Sequence, residues 1–407
     1  MNSVMIVAGE SSGELYGSLL TKALKNKWPD VHVIGVGGER MREAGVDLVS
    51  QITDAFGLIE VVSAFGKIKA AFNSTLEAMK KFRPLVLVLI DYPGFNLKVA
   101  ETAKALGIKI LYYVSPQIWA WRKGRVKRIA GLVDRMAVVL PFEEELYRQT
   151  GLTCEFVGHP VLEEIEDVLE TEIKSLSFPA PPLAKGGIGR GVALASELRT
   201  SLKTSLGLDP DKPLLSLLPG SRPSELNRHL PLLLNVISQF KGDPEIPLDY
   251  QFCIPLAQNT DEKKYAHHLE ALKQRGAVIR KGITVTVLAA SDLAIVTSGT
   301  ATLQTAFLEV PMVVVYKLSP LTYQLGKRVV QVRHISLVNI LSGREIVTEL
   351  LQKMANSEEI IKQLKRIIFD KAYRENMLKA YRQIKEPFSD KRASDRVAEM
   401  VIEMAGR

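Results

Sequence analysis

The sequence predicts an α/β protein made of two Rossmann-like, doubly wound parallel-sheet domains, with a helical C-terminal segment. Three observations lead there. Short apolar runs ending in glycine or proline turns alternate with helical stretches over most of the chain. The alternation stops near residues 163–206 and then restarts. The run Leu85–Ile90 (LVLVLI) is too short to span a membrane and has the length of a strand buried on both faces.

Taken in order, Val4–Ala8 reads as the first strand and leads into GESSGELYG, Gly9 to Gly17. This is not GxGxxG, but a strand passing through a glycine turn into a helix presents backbone N–H groups to an anion or a sugar. Gly9, Ser12 and Gly13 are its candidate contacts, and close strand–helix packing explains the glycines equally well. Further strands are expected at Val31–Val36, Leu85–Ile90, Lys109–Tyr113, Arg135–Val139 and Thr153–Val157. The central one ends at Asp91, before Pro93-Gly94, which places a carboxylate at the carboxyl edge of the sheet, where open α/β folds bind ligands. A cap or turn residue is the alternative.

Two other features stand out in this half. Val61, Phe65, Ile68 and Phe72 share one helical face, which suits either a core or a lipid surface. Tyr113–Arg128 (YVSPQIWAWRKGRVKR) joins two tryptophans to five cations between Arg122 and Arg128, a pattern suited to an anionic headgroup or to a solvated basic face.

Residues 1–165 thus form one domain and 166–205 a linker containing the Pro/Gly-rich segment Phe178–Gly191. Residues 206–350 form the second domain, with strands at Leu214–Leu218, Tyr250–Ile254, Ala277–Ile279, Leu293–Val296 and Met312–Tyr316. Residues 351–407 are charged helices. In the second domain LLPGSRPSE sets Ser221 and Arg222 between a strand and a helix, and TSGTATLQ repeats the device with Ser298, Gly299 and Thr300. Two such turns at the carboxyl edges of one sheet suit a phosphorylated ligand, with a guanidinium fork available to a diphosphate. Asp209-Pro210-Asp211 precedes its strand and is a turn, so no metal site is expected there.

Composition bounds the function. At 407 residues, 46% apolar and 24% charged, the chain is an ordinary globular one with room for two or three domains. The net charge of +8 favours acidic ligands or an anionic membrane surface. The two cysteines, Cys154 and Cys253, have no metal-ligand spacing and fit a reducing compartment. MNSVMIVAGES has neither a basic nor a long apolar region, so no export signal is expected.

AGESSGELYG, VLIDYPGFN, YVSPQIWAWRKGRVKRI, FVGHPV, LLPGSRPSE, VTSGTATLQ and SLVNILSGREIVTELLQ together resemble lipid-A-disaccharide synthase. The resemblance covers essentially the whole chain except Phe178–Gly191. It implies transfer of diacylglucosamine from UDP-diacylglucosamine to the 6-hydroxyl of diacylglucosamine 1-phosphate, without cofactor, metal or nucleic acid. It also implies the GT-B type of fold, two Rossmann-like domains facing across the cleft in which the reaction occurs, and a homodimer peripheral on the cytoplasmic face of an inner membrane. Asp91 becomes the expected general base. Asn96, Ser115, Gln117, Trp119 and Arg122 join the acceptor side. Gln304, Asn339 and Arg344 join Ser221, Arg222 and Ser298–Thr300 on the UDP side. Val61, Phe65, Ile68 and Phe72 would meet acyl chains or membrane. His159 is expected to be structural.

The chain departs from the family pattern at Glu14 and Tyr16, where Asp and His are usual, at Val338, where proline is usual, and at Gln304, where a ribose-binding glutamate is common. An N-acetylglucosaminyl transfer to a polyprenyl-linked acceptor and a UDP-sugar epimerisation share the architecture, and the tryptophan–basic segment argues against both. A non-catalytic nucleotide-sugar-binding protein would not need Asp91. A redox Rossmann enzyme would show GxGxxG followed by an acid.

Overall fold

The structure, a computed structural model, describes residues 2–51, 58–117, 119, 126–175, 196–246, 249–319, 323–324 and 333–407, of which 58–65 as backbone only. The Phe178–Gly191 segment and Arg122 lie outside the described residues, as do the side chains of Val61 and Phe65. The described residues fall into two compact units. One lies within Met1–Pro160 and Lys391–Arg407, the other within Val161–Leu325 and Val332–Asp390.

The first unit runs β1 (Ser3–Ala8), α1 (Ser11–Lys27), β2 (His32–Gly37), α2 (Glu39–Glu43), β3 (Asp47–Gln51), α3 (Leu58–Phe82), β4 (Val86–Ile90) and α4 (Pro93–Ala105). It continues with β5 (Lys109–Tyr113), α5 (Val126–Ala130), β6 (Arg135–Val138), α6 (Pro141–Arg148) and β7 (Thr153–Phe156). Its sheet has the order β3-β2-β1-β4-β5-β6-β7, with parallel neighbours throughout. β1 and β4 are buried along their whole length, which is why they read as unbroken apolar runs. The chain order reverses between them, and Ala8 pairs with Ile90, so Gly9 and Asp91 leave the sheet side by side. In open α/β sheets that reversal opens the ligand crevice.

The second unit begins with α7 (Pro160–Ser175) and α8 (Ser196–Ser205), then β8 (Leu214–Leu218), α9 (Pro223–Gly242), β9 (Gln251–Leu256), α10 (Ala266–Gln274) and β10 (Ala277–Lys281). There follow α11 (Thr284–Ala290), β11 (Leu293–Thr297), α12 (Thr300–Phe307), β12 (Met312–Tyr316), α13 (Leu337–Ser342), β13 (Glu349–Leu351), α14 (Ser357–Phe369) and α15 (Lys371–Lys385). The sheet order is β10-β9-β8-β11-β12-β13, again parallel, with its reversal between β8 and β11. Helices α4, α6 and α9 open with proline in the first turn, where its missing N–H costs nothing.

Two expected boundaries shift. Helices α7 and α8 occupy both ends of the 166–205 stretch expected to be a linker, and α8 buries Leu198 and Leu202 while packing on α11. The C-terminal stretch is divided: α14 and α15 belong to the second unit, whereas the last helix, α16 (Ala393–Ala405), packs on α1 of the first. Its Val397, Met400, Val401 and Met404 are buried there, so the apolar face of this expected dimerisation segment is covered within the chain. Among the described residues no helix is long and apolar enough to cross a membrane.

Candidate active site

In the first unit the chain leaves β4 through a turn with unusual backbone. Asp91 and Tyr92 both have φ of 46°, a left-handed conformation that costs about 1–3 kcal/mol for each non-glycine residue. Hydrogen bonds hold it. The Asp91 N–H donates to the Tyr113 carbonyl at 3.2 Å. The Asp91 carbonyl accepts from the Tyr112 hydroxyl at 2.6 Å and from Asn96 Nδ2 at 2.7 Å, and Asn96 Nδ2 also donates to the Ile90 carbonyl at 3.1 Å. Burial pushes the Tyr112 phenol well above its ordinary range, so it stays a donor. The Tyr92 ring lies so close to Gly9 that a Cβ there would overlap it, so the first glycine turn and the Asp91 turn form one surface. Asp91 itself is half-buried. A half-buried carboxylate just past the carboxyl end of β4, beside the reversal of the sheet, is chemically able to accept a proton.

The neighbouring exit is also left-handed. Val114, after β5, has φ of 64° although it is β-branched. Behind it is a buried polar cluster. Ser115 Oγ lies 2.8 Å from the Tyr147 hydroxyl and donates to the Pro116 carbonyl at 3.0 Å. Trp119 Nε1 donates to Glu143 Oε1 at 2.9 Å, and the Leu140 N–H donates to Glu143 Oε2 at 3.2 Å. Burial lifts the Glu143 carboxyl to about 8, with the nearby charge of Asp91 adding to the shift and both donors opposing it. Sequence reasoning missed Glu143. Its only signal is the position three residues into a proline-started helix, where a glutamate caps the preceding N–H.

The acceptor-side expectations therefore divide. Asn96, Ser115 and Trp119 are buried, and Asn96 Nδ2, Ser115 Oγ and Trp119 Nε1 bond within the protein, whereas Asn96 Oδ1 is buried without a hydrogen-bond partner among the described residues. Gly13 is buried within van der Waals reach of Ala8 and Ile90, which is helix–sheet packing. Ser12 is half-buried and Gln117 is exposed, and these two remain accessible. Glu14 accepts from the Arg40 N–H at 2.8 Å, capping α2, and Tyr16 is buried with its ring edge-on to His159 at 5.9 Å. Neither departure thus falls on an exposed sugar contact. Burial lowers His159 to about 3, so its ring is neutral and packed. Ile68 and Phe72 on α3 are half-buried, and the Phe72 ring meets Phe95 of α4 edge-on at 5.8 Å.

In the second unit the exits of β8 and β11 adjoin at the reversal. Glu225 fills the first turn of α9: its Oε2 accepts from the N–H groups of Ser221 and Arg222 at 3.1 and 3.2 Å, and its Oε1 from Arg222 Nη1 at 3.3 Å. The backbone donors expected to face an anion there are already used by a carboxylate. The guanidinium of Arg222, about a third exposed, is the part that can reach one. At the β11 exit Gly299 is exposed, with φ of 147° and no atom near its missing side chain, and it starts α12. Ser298 Oγ donates to the Ile335 carbonyl at 2.9 Å, while Thr300 is half-buried at the helix start.

Gln304 Nε2 donates to Glu164 Oε2 at 2.7 Å, so a carboxylate from α7 stands beside the position where the sequence lacks one. Asn339 is fully buried with its amide saturated. Nδ2 donates to the Val347 carbonyl and Glu349 Oε1, both at 2.8 Å, and Oδ1 accepts from the Ile346 and Val347 N–H groups at 2.7 and 3.0 Å. It clamps the loop that carries Arg344, which is exposed and pairs with no acid among the described residues. No group of histidine, cysteine or acid side chains among the described residues is arranged to hold a metal, and the Asp209–Asp211 turn lies at the amino end of β8.

Two doubly wound units, each with polar turns at the reversal of its sheet, are the GT-B class of fold. Solved structures of that class share the fold. A UDP-GlcNAc 2-epimerase from Neisseria meningitidis, bound to UDP-GlcNAc, aligns over 98% of this chain and 100% of its own with TM-score 0.65 and 12% identity. A glycosyltransferase from Rickettsia africae aligns over 99% and 98% with TM-score 0.54 and 12% identity. A family model described as lipid-A-disaccharide synthetase matches residues 4–176 and 192–401. The unmatched stretch between them contains Phe178–Gly191. The lipid-A-disaccharide synthase of Geobacter sulfurreducens is 38% identical over 99% of this chain and 97% of its own length. That of Myxococcus xanthus is 35% identical over 98% and 97%. The chain belongs to the lipid-A-disaccharide synthase family and is a glycosyltransferase.

Proposed function

We propose that the enzyme transfers 2,3-diacylglucosamine from its UDP conjugate to the 6-hydroxyl of 2,3-diacylglucosamine 1-phosphate. The acceptor binds the first unit and the UDP-sugar the second. The acceptor oxygen attacks the anomeric carbon from the face opposite UDP, and the hydroxyl proton passes to Asp91. The bond from the anomeric carbon to the diphosphate oxygen breaks, and UDP leaves with the electron pair. The product is the β-1,6-linked disaccharide 1-phosphate, with inversion at the anomeric centre. The Arg222 guanidinium and the Gly299–Thr300 helix start stabilise the departing diphosphate, so the scheme calls on no metal. Both substrates carry acyl chains, which favours work at a membrane surface; the cytoplasmic face of the inner membrane and a homodimer, through a face other than the one α16 buries on α1, are what the family resemblance adds.

The observation that supports this best is the half-buried carboxylate of Asp91, held by a left-handed turn at the reversal of the first sheet. The test is to mix the protein with UDP-diacylglucosamine and diacylglucosamine 1-phosphate and follow UDP and disaccharide together. Asp91→Asn should keep the fold and the affinity for UDP while lowering turnover by about a hundredfold or more. Near-normal turnover in that variant removes Asp91 from the mechanism. An epimerised UDP-sugar, formed without acceptor, would replace the reading with that of a UDP-sugar epimerase.

A further inference from the structure

Three strand ends of the second unit meet at one imidazole. His229, on α9, is completely buried. The Lys317 N–H donates to its Nε2 at 3.1 Å, so in the neutral ring Nε2 is the unprotonated nitrogen. Nδ1 then carries the proton. It donates to the Pro219 carbonyl at 2.8 Å and lies 3.1 Å from Thr297 Oγ1. The Thr297 hydroxyl sends its own hydrogen to the Leu218 carbonyl at 2.8 Å, which leaves its oxygen free to accept from Nδ1.

Each contact falls next to a feature assigned to the donor side. Pro219 precedes Gly220-Ser221-Arg222, Thr297 precedes Ser298-Gly299-Thr300, and Lys317 follows β12. Gly220 and Gly299, with φ of 97° and 147°, lie in the backbone region that favours glycine. Burial lowers the imidazole to about 4 against the opposing hydrogen bond to the Pro219 carbonyl, and the charges of Lys317 and Arg228 add to the lowering. The ring therefore stays neutral at physiological pH, and Nε2 remains an acceptor.

We propose that His229 is a positioning residue that fixes the two UDP-facing turns relative to each other by tying the exits of β8, β11 and β12 through one neutral ring. The proposal rests on the reading of those turns as the nucleotide side. His229 touches no substrate in this scheme and acts through Pro219, Thr297 and Lys317.

Three variants separate its two nitrogens. His229→Leu removes both links. His229→Asn keeps an N–H near the Nδ1 position, and His229→Gln extends an oxygen towards Nε2. The measurements are UDP affinity by calorimetry and amide hydrogen exchange at residues 220–222, 298–301 and 317. His229→Leu should speed exchange at all three by about tenfold or more and weaken UDP by about tenfold. His229→Asn should protect residues 220–222 while Lys317 exchanges faster, and His229→Gln should give the opposite pattern. Wild-type exchange in folded His229→Leu overturns the proposal. If that variant does not fold, identical exchange patterns in the Asn and Gln variants overturn it instead. A wild-type protein that binds no UDP would remove the donor-side reading, and the exchange patterns would still decide whether His229 holds the turns.

Discussion

Replacing Asn96 with alanine should disarm Asp91 without touching it. Asn96 is wholly buried, and its Nδ2 donates to the Ile90 and Asp91 carbonyls at 3.1 and 2.7 Å. A neutral hydrogen bond contributes about 1 kcal/mol net, and a buried carbonyl deprived of its donor costs somewhat more. The Asp91 carbonyl keeps the Tyr112 hydroxyl at 2.6 Å, and alanine also removes the buried, unpartnered Asn96 Oδ1, so the combined loss is at most about 2 kcal/mol. In a unit of this size that lowers melting by roughly 4–8 °C. The same sum is close to the cost of about 1–3 kcal/mol of holding each of Asp91 and Tyr92 left-handed, so the turn can relax once Asn96 is gone. A shift of about 1 Å in a reacting group costs about a hundredfold in rate. The assay is turnover well below the melting temperature, beside urea unfolding and UDP affinity. Turnover should fall by at least tenfold, and UDP affinity should stay unchanged. Asn96→Asp should be worse than alanine, because it sets a carboxylate against two carbonyl oxygens and adds charge beside Asp91. An Asn96→Ala protein that loses stability and keeps full turnover would refute the link between this turn and the base.

Two further outcomes follow from electrostatics. Arg396 forks onto Glu155 at 2.7 and 2.9 Å and reaches Glu399 and Glu403 at 3.3 and 3.1 Å, tying α16 into the first unit. These groups are a third or more exposed, so Arg396→Ala should cost only about 1 kcal/mol at low salt and clearly less at about 1 M; urea unfolding at both salts checks this, and an equal loss at both would refute it. Glu143 titrates near 8 in the folded chain against an ordinary 4.5, so the folded state keeps a proton that the unfolded state releases, and stability should fall as pH rises through that window. Glu143→Gln should flatten the slope of unfolding free energy between those two values, and a slope that persists would assign it to another group.

Most of the architecture was legible because its strands are buried on both faces. Lys109–Tyr113, Leu214–Leu218 and Met312–Tyr316 are strands over the same residues that the apolar runs mark. The two strands that gave no signal lie at sheet edges. β3 (DLVSQ) is exposed or half-buried throughout, and β13 is three residues long, so neither needed an apolar run. The 166–205 stretch was read as a linker from the Pro/Gly-rich segment at its centre, although its ends carry enough apolar residues to pack as helices. The C-terminal stretch was read as one appendage because helical periodicity shows which face is buried and not which neighbour covers it.

The site was legible to the level of the turn and not of the atom. A polar residue at a strand exit can face a ligand or satisfy the backbone of its own turn, and both choices favour the same residue types. Asp91, Gly299 and Arg344 keep exposed or half-exposed positions, while Asn96 Nδ2, Ser115 Oγ and the Asn339 amide turn inward and are spent on carbonyls, hydroxyls and N–H groups. Glu225 shows why the distinction matters: the run GSRPSE reads as an anion cradle, yet it supplies an anion of its own, which occupies the backbone donors. What separates the two fates is the count of unpaired backbone groups within reach, and that count depends on which strand exits the sheet order brings together. His229 is the extreme case. On α9 it follows Arg228 and precedes the buried Leu230, which gives it the look of a core-facing histidine. Its three partners come from residues 219, 297 and 317, which only the β8-β11-β12 order makes neighbours.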